Sequence, residues 1–201
     1  MKTGRKDCAG SPKGSPWTND WHEFPDPLGT TKDTTSYFKK MFDFGDMETV
    51  AILGAHTLGQ AHPSASGFSR PWVPQKNRFN NDYYKALLKK QWTQVSVRRR
   101  PRQPQKWQWE NNDERRGTMM LNCDMSMLKN LTDVSKYGEV RGCTYKTCKT
   151  VTPGESNTAV WVKKFAADNA LFMEKFGKAF QKMIRHGYTN LQDVDPYKGF
   201  G

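Results

Sequence analysis

Hydrophobic and polar positions alternate along this chain in several distinct rhythms. Tyr37, Phe38, Met41 and Phe42 recur at helical spacing and predict a helix over 34–44, with Thr34 or Thr35 as its N-cap. Asp46 is then expected to cap a second helix running to about Leu58, with Glu48 in its first turn favouring the helix dipole. Pro63, Gly67, Pro71 and Pro74 make 63–79 a loop. Tyr83, Tyr84, Leu87 and Leu88 form the apolar side of a short helix over 80–89. In the stretch 90–117, Trp92, Val95, Val97, Trp107 and Trp109 alternate with polar residues, the rhythm of a twisted β-hairpin. Met119-Met120-Leu121 leads into a helix near Asp124, and 137–155 reads as a polar loop insertion. A last helical region spans 157–186, with Phe165, Phe172, Phe176, Phe180 and Met183 on one side and Gly187 as its stop. The first 33 residues, with Pro12, Pro16, Pro25 and Pro27, read as ordered loop, and Trp17, Trp21 and Phe24 suggest that it lies against a surface. The expected architecture is mainly α, in one domain over 1–201, with a small hairpin inserted.

Composition adjusts this picture in three ways. The chain has 201 residues and is 35% hydrophobic, with a mean hydropathy of −0.88, polar for a free-standing globule. A cofactor, a partner or further polypeptide is therefore expected to complete its core. Seven Trp and eleven Phe argue against wholesale disorder. No apolar run approaches the roughly 20 residues of a membrane span, and Met1-Lys2-Thr3-Gly4-Arg5 shows no targeting signal.

The net charge is +12, and half of it is concentrated between Lys89 and Arg116, where nine basic residues face three acidic ones. Arg98-Arg99-Arg100-Pro101-Arg102 among tryptophans resembles a nucleic-acid stripe, but no nucleic-acid-binding fold accompanies it. A solvated basic insertion, or an acidic protein partner at 89–116, fits better. The four cysteines, Cys8, Cys123, Cys143 and Cys148, match no zinc spacing, and Cys143 and Cys148 could close a small loop in an oxidising compartment.

The densest chemical signal is Val50-Ala51-Ile52-Leu53-Gly54-Ala55-His56-Thr57-Leu58-Gly59-Gln60-Ala61-His62. A histidine at a helix end among small residues suits a flat ligand approaching the backbone, and equally suits a helix-terminal cap. Gly54-Ala55-His56-Thr57-Leu58-Gly59 resembles the proximal-histidine signature of the plant, fungal and bacterial haem peroxidases. Four further segments follow in that family's order. They are Ser66-Gly67-Phe68-Ser69-Arg70-Pro71-Trp72, Asn77-Arg78-Phe79-Asn80-Asn81-Asp82-Tyr83-Tyr84, the Asp124 segment from Met119 to Leu128, and Phe176-Gly177-Lys178-Ala179-Phe180. Gly4-Arg5-Lys6-Asp7 also fits.

The resemblance implies the proximal half of the peroxidase fold, closest to the cytochrome c and ascorbate peroxidases. It implies His56 as the axial ligand of haem b, with Asp124 accepting the His56 ring N–H and the Trp72 indole N–H. Trp72 would lie beneath the haem, Thr57 would belong to the cofactor-side loop, and His62 would reach a haem propionate or else stand as an exposed loop histidine. The family's monovalent-cation site would use Thr57, but Val73, Gln75 and Asn80 occupy its other positions, so no cation is expected and a Trp72 radical becomes easier to form. Ala65 stands where ascorbate peroxidases carry an arginine, which argues against ascorbate as donor.

The family cleaves peroxide with a distal histidine and arginine on an Arg-x-x-Trp/Phe-His helix, and no such motif occurs here. His22 lies in a Pro-rich loop and His186 at a helix end. Two readings stay open: a peroxidase whose distal half is supplied elsewhere, with another chain covering the haem-side face, or a haem-free structural subunit. A mitochondrial, plastid or cytosolic setting is expected from resemblance alone.

Overall fold

The computed structural model describes residues 2–3, 25–89, 92–97, 105–111, 117–141, 154–188 and 190–193. The expectations for Trp17, Trp21, Phe24 and His22, for Cys8, Cys143 and Cys148, for Gly4-Arg5-Lys6-Asp7, for the arginines at 98–102, 115 and 116, and for most of the 137–155 insertion lie outside those residues.

Helix α1, Thr31–Phe42, begins earlier than the apolar rhythm suggests. Thr30, not Thr34 or Thr35, is its N-cap. The Thr30 hydroxyl accepts the Asp33 N–H at 3.2 Å, and the Asp33 carboxylate accepts the Thr30 N–H at 2.8 Å. Thr34 is buried one turn in, where it donates to the Thr30 carbonyl. Thr30→Ala is expected to lower stability by about 1 kcal/mol in chemical denaturation; an unchanged midpoint would show that the cap is redundant.

Helix α2, Asp46–Leu53, is capped at Gly45, whose N–H donates to Glu48 at 2.9 Å, so Asp46 lies inside the helix rather than before it. Five of its eight residues, Thr49 to Leu53, are buried. A helix with no wet stripe must be enclosed. Helix α6, Asn169–Arg185, packs along it. A 3-10 turn, Gly54–Thr57, continues α2 and carries His56.

Two short strands follow. β2, Gln60–Ala61, pairs antiparallel with β3, Arg70–Pro71, and so ties the Trp72 loop back to the histidine turn; β1 is Lys2–Thr3 near the start of the chain. Arg70 holds φ at +84°, rare for a non-glycine. Its guanidinium pairs with Glu110 at 3.0 Å, which helps hold that conformation. Helix α3, Asp82–Leu87, is shorter than 80–89; Tyr83, Tyr84 and Leu87 are buried, but Leu88 is exposed.

The predicted hairpin exists, with a third strand. β4, Thr93–Val97, pairs with β5, Lys106–Asn111, and β5 pairs with β6, Thr118–Met120, all antiparallel. Met119 and Met120 thus end a strand, and Leu121 leads from it into the helix expected near Asp124. The buried residue of β4 is Gln94, not Val95 or Val97. Gln94 meets its polar needs there: Nε2 donates to the Gly138 carbonyl at 2.9 Å and Oε1 accepts the Val140 N–H at 2.9 Å.

Helix α4, Asn122–Met125, leaves the sheet at once. Asn122 clamps it: Oδ1 accepts the Trp109 indole at 2.8 Å, and Nδ2 donates to Leu28 and Gly138 carbonyls. The helical region expected over 157–186 is made of two helices, α5, Ala159–Ala167, and α6, Asn169–Arg185, separated at Asp168, whose side chain caps α6 through the Leu171 N–H. Phe172 lies in the core, whereas Phe180 is exposed and does not continue the apolar stripe. Gly187, at φ +81°, ends α6 as expected. β7, Gln192–Asp193, pairs antiparallel with β1. Mainly α with a small antiparallel insertion is the observed architecture, and no helix among the described residues is long and apolar enough to cross a membrane.

Candidate functional site

Asp124 is the centre of the site. Its side chain is fully buried and accepts four hydrogen bonds. Oδ1 takes His56 Nδ1 at 2.7 Å and the Tyr83 hydroxyl at 2.8 Å. Oδ2 takes the Trp72 indole N–H at 2.8 Å and the Leu121 backbone N–H at 2.8 Å. A carboxylate offers about four lone-pair positions, so this one is saturated. Burial pushes the Asp124 carboxyl up, but the His56 ring beside it and the bonds from His56, Leu121 and Trp72 outweigh burial and hold it below its ordinary value. An ionised carboxylate can only accept. His56 Nδ1 is therefore the donor in this pair, which fixes the ring's orientation.

The three elements that meet here arrive separately. The 3-10 turn delivers His56, the β3 loop delivers Trp72, and the clamp on Asn122 fixes Asp124 two residues later. The His56 and Trp72 rings stack, with centroids 4.1 Å apart and planes 17° from parallel. Tyr83 meets the His56 ring edge-on at 6.1 Å.

His56 also lines an open, largely apolar cleft of about 440 Å³, walled by Pro25, Pro27, Ile52, Leu53, Leu121 and Cys123. His56 Nε2 has no hydrogen-bond partner among the described residues. The Cys123 thiol is buried, and that burial pushes its pKa well up and keeps it neutral. Among the described residues no cluster of three or more His, Cys, Asp or Glu side chains is placed to hold a metal ion.

The expected site residues separate into two groups. His56, Trp72 and Asp124 are brought together. Thr57 is buried beside them but faces away, its hydroxyl donating to Asn80 Oδ1 at 3.3 Å and the Arg78 carbonyl at 3.4 Å. His62 is exposed, with Gln60 at 3.3 Å, and takes no part in the Asp124 cluster. Tyr83 is the participant that sequence reading missed. It counted as part of an apolar stripe, but a buried tyrosine needs a partner for its hydroxyl, and that requirement was the available signal. Burial and the Asp124 charge push the Tyr83 phenol well up, so it serves as a donor.

The smallness of Gly54 also has a different use from the one expected. A Cβ on Gly54 would lie 2.3 Å from the Tyr84 hydroxyl and 2.6 Å from the Phe172 ring, so this glycine admits the core, not a ligand. Gly59, at φ +78°, is required by the turn. Of the small residues beside His56, Ala55 is the one that faces the cleft.

Residues 1–140 match the family described as Peroxidase. A provisionally named heme-binding peroxidase of Aspergillus fumigatus is 31% identical over 92% of this chain and 48% of its own length. The mitochondrial cytochrome c peroxidase of Candida albicans is 32% identical over 86% of this chain and 38% of its own. That of Neurospora crassa is 31% identical over 81% and 36%. The chain therefore spans between about a third and a half of the relatives' length. With the match covering most of its residues, this chain belongs to the haem peroxidase family and is similar to the cytochrome c peroxidases within it.

Proposed function

We propose that this chain forms the haem-ligating wall of a peroxidase, with the peroxide-cleaving groups supplied by polypeptide outside this sequence. One observation carries the reading. His56 is fixed through Nδ1 by a buried carboxylate while its ring lines an apolar cleft. An oriented imidazole with a free nitrogen, set in an apolar wall, suits an iron carried in a flat apolar macrocycle. His56 would hold haem b, which when bound supplies the iron that reacts with hydrogen peroxide. Asp124 would orient the ligand and give it anionic character. Trp72, stacked on His56 and bonded to the same carboxylate, would pass electrons from a protein or small donor. The basic segment 89–116 suits an acidic donor protein. His62, on the exposed loop, would reach a propionate.

The test is haemin titration of the full chain followed by a pyridine haemochrome assay, in parallel with His56→Ala. Stoichiometric uptake is expected, weakened by about tenfold or more in His56→Ala, roughly 1.4 kcal/mol. The loss is bounded because the apolar cleft remains to bury the macrocycle. Absence of uptake by the unaltered chain, with and without its native partners, would favour a haem-free structural subunit.

A further inference from the structure

We infer that Tyr83 is a positioning residue that limits how much negative charge Asp124 passes to His56; this rests on the reading of His56 as a haem ligand. The geometry is specific to one oxygen. Asp124 Oδ1 accepts both His56 Nδ1 at 2.7 Å and the Tyr83 hydroxyl at 2.8 Å, while Trp72 and Leu121 share Oδ2. Two donors on one oxygen draw on the same electron density, so each weakens the other's bond. The Trp72 and Leu121 bonds orient the carboxylate and draw on the other oxygen. Tyr83 competes with His56 directly.

Packing alone does not account for the hydroxyl. Tyr83 is wholly buried, and its ring contacts Tyr84 and His56 through edges that a phenylalanine would keep. The oxygen adds a polar group to the core and one bond, the bond to Asp124. Without it, Oδ1 would serve His56 alone. The shared proton would move toward the carboxylate, and the imidazole would become more anionic and a stronger donor to a bound iron. With it, the imidazole stays closer to neutral. Tyr83 therefore sets the strength of the axial ligand without touching the cofactor.

The experiment compares the full chain with Tyr83→Phe, and with 3-fluorotyrosine at position 83, whose phenol is a stronger donor. In the haem-free chain, the His56 Nδ1–H proton resonance is expected downfield in Tyr83→Phe and upfield with fluorotyrosine. In the haem-loaded chain, the ferrous iron–imidazole stretch is expected to rise in Tyr83→Phe and the iron midpoint potential to fall. A merely structural role would change thermal stability and leave these signals in place. An unmoved His56 resonance in both variants would overturn the inference. If the chain takes up no haem, the ligand reading of His56 fails, while the haem-free resonance still decides the role of Tyr83.

Discussion

Asp124→Ala is expected to cost the fold about 3–5 kcal/mol, the range for removing one partner of a buried charged cluster. The reason lies in what stays behind. His56, Tyr83, Trp72 and the Leu121 N–H all donate to this carboxylate, and Tyr83 and Trp72 are buried where water does not replace it. Each neutral donor left unpaired contributes about 1–3 kcal/mol, partly relieved by rearrangement. Urea denaturation measures the loss, and a drop below about 1 kcal/mol would show that solvent reaches the cluster. The acid limb follows the same carboxylate. Its native pKa is depressed, so its contribution is complete above the unfolded value of about 4 and is lost as pH falls through the native value. Asp124→Ala should flatten that part of the stability profile.

Gly54→Ala is expected to destabilise by about 2–3 kcal/mol, the upper part of the range for overpacking. A single methyl there meets the Tyr84 hydroxyl at 2.3 Å and Phe172 ring atoms at 2.6 and 2.8 Å. Neither neighbour can yield easily. The Tyr84 hydroxyl donates to the Val50 carbonyl at 2.9 Å, and Phe172 is locked among Phe79, Tyr84, Phe165 and Phe176. The turn must move instead, and His56 is two residues on. Thermal melts by circular dichroism should show the loss. Combining Gly54→Ala with Tyr84→Phe should recover part of it, since the closest clash is removed. Strict additivity would mean that the strain lies elsewhere.

Much of the site could be read in the sequence, because its parts lie in contiguous motifs. His56, Trp72 and Asp124 each sit in a short segment whose order and spacing resemble a known family, and the structure brings the three side chains together. What escaped was set by polar bonds, local and long-range, that leave no mark on the apolar rhythm. Thr30 caps α1 through a local box, but the apolar rhythm that marks the helix starts a turn later. Gln94 lies in the core because Gly138 and Val140, more than forty residues away, satisfy its amide. Asp168 divides the last helical region because its side chain caps the second half. Tyr83 and Tyr84 look alike in a pattern of apolar positions, yet one serves the carboxylate and the other bonds the Val50 carbonyl in the helix that leads to the histidine turn.

The bonds to Asp124 also bear on the order in which the molecule is built. They span 68 residues to His56, 52 to Trp72 and 41 to Tyr83, and the Leu121 bond is the local one. Closing such loops costs entropy before any contact repays it. The carboxylate is therefore expected to stay hydrated during folding until the sheet, α3 and the histidine turn have docked. Substitutions at Asp124 would then act on the escape rate from the native state, leaving the approach to it largely untouched. The carboxylate that holds His56 is in this sense a latch, set last and released first.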